Sequence, residues 1–343
     1  MCKISVVTSI YNGEKYMGET IESILHQTFT DWEYIIIDNA STDASADIVE
    51  SYAKKDSRIR FYRNEKNFGI SANLNKGFAL ARGKYIARTD ADDLSYPTRL
   101  EKQYQYMEEH PSITLIGCVA DVLKDNKRIQ SPHLVTASNV QETRFMLPFC
   151  NYIAASSVFV RMDTVKKNGI QFKPYQYAQD YCFLLDILRV GEIAFIPNCL
   201  VSYRISVNQF TYVLPATLRI REGINIQLDY LSEIPTECRD IFALAILGRL
   251  RDVIDIEKFD YALVLYAKKC GLDQEQTHCF HQIYRSIYTR QIGSWGLLRG
   301  YIASSFRKRN WLFTHEGLSV LKQCLLRKDY YGFAKITKEI AGD

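Results

Sequence analysis

The sequence has no CxxC pair, no apolar run near the roughly 18 residues a spanning helix needs, and no charged-then-apolar leader at its start. Each absence closes off a class of protein. Nine cysteines, among them Cys2, Cys118, Cys182 and Cys324, are odd in number and scattered, which suits reduced, mostly buried thiols in a cytoplasmic compartment and not a disulfide framework. The one local cluster, Cys270, His278, Cys279 and His281, lacks zinc-finger spacing and reads as packing. With the chain running almost at once into the strand-like Ile4-Ser5-Val6-Val7, the protein is expected to be made and kept inside the cell. No GxGxxG follows that first strand, only Gly13 and Gly18 in an unsuitable register, so a dinucleotide oxidoreductase is disfavoured. Nucleic acid is not expected as a partner, because the net charge is a mild +4 and no RRM, KH or helix-turn-helix signature is present.

What is present is an ordinary globular composition, 47% hydrophobic and 24% charged, in a 343-residue chain with a soft prior of two domains. Strand-like and helix-like segments alternate from 4 to 90. Strands are expected over Ile4–Ser9, Tyr34–Asp38, Ile59–Arg63 and Lys84–Thr89, with helices over Glu14–His26, Asp43–Lys55 and Ser71–Ala81 between them. This rhythm predicts an α/β fold with a largely parallel sheet, helices on both faces and ligands at the carboxyl ends of the strands. Those ends carry Tyr11-Asn12-Gly13-Glu14, Asp38-Asn39 and Asp90-Ala91-Asp92-Asp93, and one shared cleft follows.

The aspartate cluster organises the chain. Three aspartates stand within four positions, at 90, 92 and 93, directly after the strand-like Tyr85-Ile86-Ala87. Like charges that close repel unless a cation sits between them, and hard carboxylate oxygens suit Mg²⁺ or Mn²⁺. A solvated acidic turn is the competing reading. Asp38 has a similar ambiguity: it either joins a capping turn, with Ser41 or Thr42 capping the next helix, or hydrogen-bonds a base or ribose.

Several segments in one order resemble the family 2 glycosyltransferases of the GT-A fold. They are Ile4 to Asn12, Ile35 to Asp43, Asn67-Phe68-Gly69 through Asn73 and Gly77, and Gly83-Lys84-Tyr85-Ile86 through Asp90 to Asp93 with Pro97, Arg99 and Leu100. The resemblance covers about the first 210 positions. It implies a mixed central sheet and inverting transfer of a sugar from a nucleotide-diphosphate donor, here a UDP-sugar, with Mn²⁺ or Mg²⁺ as cofactor. By the same resemblance Ser9, Tyr11, Glu14, Asp38, Asn67 and Asp90 bind the nucleotide, and Asn73 meets the donor sugar. Asp93 either meets that sugar or caps the helix near Pro97. Asp92, with Asp90, holds the metal, and Arg204 contacts phosphate or forms a buried ion pair. An acidic pair opens a helix in the family and its aspartate is the general base; here the pair is Gln179-Asp180, so Asp180 takes that role unless it only caps the helix. The family commonly has a His one residue beyond Tyr-Arg, where this chain has Ser206.

In the acceptor half, strands are expected over Ile113–Val122 and Ser156–Arg161, helices over Asn139–Met146 and Met162–Asn168, and a closing hairpin from Gly191–Pro197 and Leu200–Arg204. The transferase domain is thus expected over 1–213, with a helical region over 214–343 that turns basic and aromatic from about 285. Arg285, Arg290, Arg299, Arg307, Lys308 and Arg309 interleave there with Trp295, Tyr301, Phe306 and Trp311. Such a mixture suits an anionic membrane surface, and a helical subdomain with a solvated basic face suits it equally. A peripheral membrane contact and a glycan or lipid-linked oligosaccharide acceptor are the matching partners. The alternatives are a catalytically silent UDP-binding protein and an adaptor that works through the basic tail.

Overall fold

The computed structural model describes residues 2–124, 127–129, 137, 139–206, 214–250 and 253–289. The basic, aromatic segment from 290 onward lies outside the described residues. The chain divides into two compact units, Met1–Pro215 and Ala216–Asp343.

In the first unit, strands β1 (Ile4–Ile10), β2 (Trp32–Asp38), β3 (Ile59–Arg63) and β4 (Tyr85–Arg88) alternate with helices α1 (Met17–Leu25), α2 (Ser45–Ala53) and α3 (Ile70–Leu80). All seven residues of β2 are buried, as a β-branched and aromatic run between two covered faces requires. Close packing of α3 and the following turn needs small residues. A Cβ on Gly77 would lie 2.5 Å from Val7 Cγ1, and one on Gly83 would lie 2.6 Å from the backbone nitrogen of Ser5.

After β4 come β5 (Leu94–Ser95), α4 (Arg99–Glu109), β6 (Ile113–Lys124), β7 (Lys127–Ile129), α5 (Val140–Met146), β8 (Phe159–Arg161), α6 (Met162–Lys167), α7 (Gln179–Val190) and β9 (Glu192–Ile205). The sheet order is β3-β2-β1-β4-β8-β6-β9-β5, with β7 attached to β6. β1 to β4 run parallel, β8 runs antiparallel to both β4 and β6, and β9 pairs parallel with β6. The parallel sheet expected from the alternation is therefore mixed, as the family resemblance implies.

Three expectations need correction. The closing hairpin is one 14-residue strand, β9, and the break expected between Pro197 and Leu200 is absorbed where the register with β6 shifts between Cys118 and Val119. The strand expected over Ser156–Arg161 shortens to β8, because Ala155–Ser157 forms a 3₁₀ turn. Neither Ser41 nor Thr42 caps α2, whose N-cap is Ala44.

The second unit holds α8 (Ala216–Tyr230), α9 (Thr236–Ile246), α10 (Val253–Lys269) and α11 (Gln274–Thr289). Phe242 of α9 packs edge-on against Phe259 and Tyr266 of α10, at ring distances of 5.7 and 6.0 Å. Cys270 is buried and Cys279 exposed. Among the described residues no three His, Cys, Asp or Glu side chains are arranged to hold a metal, and no helix is long and apolar enough to cross a membrane.

Candidate active site

The loops after β1 and β2 are laced together by short polar side chains. Asn12 N donates to Ser41 Oγ at 3.0 Å, Thr42 N donates to Asn12 Oδ1 at 2.9 Å, and Gly13 N donates to Ser45 Oγ at 2.8 Å. Both loops pass through left-handed backbone, at Asn12 (φ 51°) and Ala40 (φ 63°). Asparagine tolerates that conformation, whereas at alanine it costs about 1 kcal/mol. Glu14, expected at the nucleotide, is used in the lacing: its carboxylate accepts from Ala44 N at 2.9 Å, and its own N–H donates to Asp43 Oδ2 at 3.0 Å. Tyr11 is left at the rim, 52% exposed.

Asp38 is fully buried at the tip of β2. Its Oδ1 accepts from Ser41 N at 3.1 Å and from Ser41 Oγ at 2.5 Å. Among the described residues Oδ2 has no hydrogen bond of good geometry, although Arg63 Nε stands 3.2 Å away as a counter-charge. A buried carboxylate oxygen left open is an acceptor suited to a ligand N–H or O–H.

An asparagine network continues the floor toward α3. Asn73 Nδ2 donates to Ser9 Oγ at 3.0 Å, Asn64 Nδ2 donates to Asn73 Oδ1 at 2.7 Å, and Lys76 Nζ donates to Asn64 Oδ1 at 2.8 Å. Asn39 Nδ2 donates to Asn67 Oδ1 at 2.7 Å, and Phe68 N donates to Asn39 Oδ1 at 2.9 Å. Asn73, expected at the donor sugar, is buried with its amide spent on neighbours. Asn67 is exposed, so the network ends at the surface there.

The aspartate loop between β4 and β5 is fixed from three sides. Arg99, fully buried, donates Nη1 to Thr89 Oγ1 (2.8 Å) and Ser95 Oγ (2.9 Å) and Nη2 to Arg88 O (2.7 Å), which staples the two ends of the loop. Ser156 accepts from Asp90 N at 2.9 Å and donates to Asp93 Oδ2 at 2.5 Å. From β9, Arg204 N donates to Asp93 Oδ1 at 2.9 Å and Arg204 Nε donates to Asp92 O at 2.8 Å. Both oxygens of Asp93 are thus held by the protein. Its capping alternative is excluded, since α4 begins at Arg99 with Thr98 as N-cap. Arg204, expected at phosphate or in an ion pair, forms the ion pair: Nη2 lies 2.7 Å from Glu19 Oε2, and its guanidinium lies 4.2 Å from the centre of the Tyr16 ring.

This loop concentrates negative charge. Burial and the neighbouring Asp90 push Asp92 up to about 6, against a partial pull from Arg204. Burial, with Asp92 and Asp90, pushes Asp93 well up too. Asp90 itself is paired, since Arg88 Nε and Nη2 donate to its Oδ1 at 3.2 and 3.0 Å.

Asp180 stands one residue inside the start of α7, after the N-cap Ala178, so it is not the N-cap, and its Oδ1 accepts from Tyr181 N at 2.8 Å. Burial raises its affinity for a proton, and the charge of Arg88 opposes that rise. Gln179 is buried beside it, and Gln179 Oε1 has no hydrogen-bond partner among the described residues. Reasoning from the sequence missed Arg88, Glu19 and Ser156. For Arg88 a signal existed: a charged residue closing a buried strand two positions before an aspartate cluster.

A mixed sheet with a parallel β3-β2-β1-β4 half, an aspartate loop after β4 and a helix-borne carboxylate beyond β8 has the GT-A fold. Residues 5–173 match the family described as Glycosyl transferase family 2. TuaG of Bacillus subtilis, named as a glycosyltransferase of teichuronic acid biosynthesis, is 32% identical over 213 residues, covering 61% of this chain and 81% of TuaG. The chain belongs to family 2 of the glycosyltransferases. Among solved structures, S. aureus TarS 1-349 in complex with UDP-GlcNAc superposes with a TM-score of 0.58 at 17% identity, covering 89% of this chain and 91% of that one. The mannosyltransferase PcManGT from Pyrobaculum calidifontis, in complex with GDP-Man and Mn²⁺, gives 0.55 at 15% identity, covering 84% of each.

Proposed function

We propose that the protein moves a sugar from a UDP-linked donor onto a glycan acceptor, with inversion at the anomeric carbon, in the synthesis of a surface polysaccharide. The observation that carries this reading is the contrast between a charge-crowded aspartate loop and one separate, desolvated carboxylate, Asp180, opening another helix. UDP-GlcNAc bound to TarS and the name of TuaG support the donor and the pathway class. Ser9, Tyr11, Asp38 and Asn67 form the nucleotide side in this reading, with the open Oδ2 of Asp38 as its acceptor.

The donor set of the loop fits a hard divalent cation. Asp92, raised to about 6 by burial and by Asp90, carries unbalanced negative charge that Mn²⁺ or Mg²⁺ would relieve, and PcManGT holds Mn²⁺. Asp92 and Asp90 would hold the ion. Bound there, it would neutralise charge on the leaving diphosphate.

Asp180 takes the proton of the acceptor hydroxyl as that oxygen attacks the face opposite the diphosphate. Its Oδ1 is occupied by Tyr181 N–H, which leaves Oδ2 for the proton. The acceptor is lipid-linked if the basic segment from about 285 meets the membrane. Asp180→Asn tests the assignment. Transfer should fall by about 10²–10⁴-fold with UDP affinity nearly unchanged, and transfer at the native rate would remove Asp180 from the mechanism. A silent UDP-binding protein is the second reading, suggested by Gln179 and Ser206. Slow hydrolysis of UDP-sugar without acceptor is expected only of the enzyme.

A further inference from the structure

Residues 168–178 join α6 to α7 outside any strand or helix, so the backbone there must find its hydrogen-bond partners elsewhere. For Phe172 they come from one side chain of α3. Asn75 Nδ2 donates to Phe172 O at 2.9 Å, and Phe172 N donates to Asn75 Oδ1 at 2.8 Å, so the carboxamide serves Phe172 as a neighbouring strand would. One turn earlier on the same helix face, Ser71 Oγ donates to Lys173 O at 2.8 Å. One turn later, Phe78 meets the Phe172 ring edge-on at 5.1 Å.

The other side of this segment is fastened to α7. The Phe172 ring stacks on Phe183 at 4.3 Å with planes 9° apart, and Phe78 completes the group at 5.7 Å from Phe183. All three rings are buried. Lys173 Nζ lies 3.1 Å from Asp186 Oδ2, an ion pair to the same helix. Asp180 stands three residues before Phe183, less than one turn away, so the place of its carboxylate follows the place of this stack.

We propose that Asn75 is a positioning residue for sugar transfer: it fixes Phe172 against α3 and thereby sets where α7 presents Asp180. The catalytic part rests on the transferase reading, in which Asp180 is the base; the staple between α3 and residues 172–173 does not. Stacked rings can slide over one another, whereas two hydrogen bonds to one carboxamide fix both a distance and a direction. A base must lie within hydrogen-bond reach of the proton it removes, so a shift of about 1 Å in α7 is costly to the reaction. The nucleotide side, carried by the ends of β1 and β2, is left as it was.

The staple is read without any ligand, from amide hydrogen exchange of the whole chain followed by mass spectrometry. Asn75→Leu removes both bonds and keeps the bulk, so the Phe172 amide should exchange at least about tenfold faster, with β1 and β2 unchanged. Unaltered exchange at Phe172 overturns the proposal. If Asn75→Leu does not fold, Asn75→Ser, too short to reach both groups, takes its place with the same expectations.

The positioning role is read from acceptor-independent hydrolysis of whichever of UDP-GlcNAc, UDP-glucose and UDP-galactose turns over fastest. In Asn75→Leu the kcat should fall at least about 20-fold while KM and the Kd for UDP move less than about threefold. Asn75→Asp keeps an acceptor for the Phe172 N–H and should recover at least about fivefold of that loss. A kcat within about twofold of native, an equal loss in kcat and UDP affinity, or equal kcat in the leucine and aspartate variants would make Asn75 a packing residue only and overturn the role. Absence of hydrolysis by the native protein counts against the transferase reading instead, and exchange at Phe172 still decides the staple.

Discussion

The backbone N–H of Arg204 donates to Asp93 Oδ1 at 2.9 Å across 111 residues of chain. That bond joins the last strand of the sheet to the aspartate loop, and the Arg204 guanidinium reinforces it through Asp92 O and Glu19. Arg204→Ala should therefore lower the melting temperature and weaken Mn²⁺-dependent UDP binding together, since the loop loses its clamp. Arg204→Lys should restore little, because one ammonium cannot reach Glu19 and Asp92 O at once. Thermal melts and titration with UDP check both. Loss of UDP binding in either variant at an unchanged melting temperature would point to a direct phosphate contact instead.

Asp92 gives a pH dependence with an unusual sign. Its folded value of about 6 lies above the ordinary 3.8. The folded protein therefore binds that proton more tightly than the unfolded chain, so this group adds stability as pH falls through about 6 toward 4, and the gain is absent above the folded value. Asp92→Asn should raise the metal-free melting temperature at pH 7.5 by about 2 °C or more. The advantage should fade toward pH 4. Stabilisation by Mn²⁺ should run the other way, being lost as pH falls below about 6, because the metal needs the carboxylate.

Asn73 separates a structural role from a ligand contact. Its buried amide bridges Ser9 and Asn64, so Asn73→Ala strands two polar partners at about 1–3 kcal/mol each. A drop of several degrees in melting temperature is expected, with donor-sugar preference unchanged. A native melting temperature with altered preference would return Asn73 to the sugar.

Much of the parallel half was legible because its signals are local. Ile35-Ile36-Ile37 ending in Asp38, and Tyr85-Ile86-Ala87 ending before Asp90, state both a strand and a polar tip within a few residues. The acceptor half was harder to read. The break between Pro197 and Leu200 looks like a turn at short range, but pairing with β6 along the length of β9 outweighs it, and a register shift accommodates it. The same limit applies to side chains. Glu14 and Asn73 read as ligand contacts, and Arg204 as a phosphate contact or an ion pair; their partners Ala44, Ser9 and Glu19 lie 30, 64 and 185 residues away and are brought near only by the fold. Arg88 was overlooked although a charged residue closing a buried strand two positions before an aspartate cluster is itself a signal, because its contacts with Asp90 and the Phe172 ring are set only by the fold.

The most direct test of the account is calorimetric titration with UDP and a panel of UDP-sugars, with and without Mn²⁺, on the native protein and on Asp92→Ala. Mn²⁺-dependent binding with one sugar preferred, and its loss in the variant, is the expected result. Absence of binding under every metal condition, or equal binding by the variant, would contradict it.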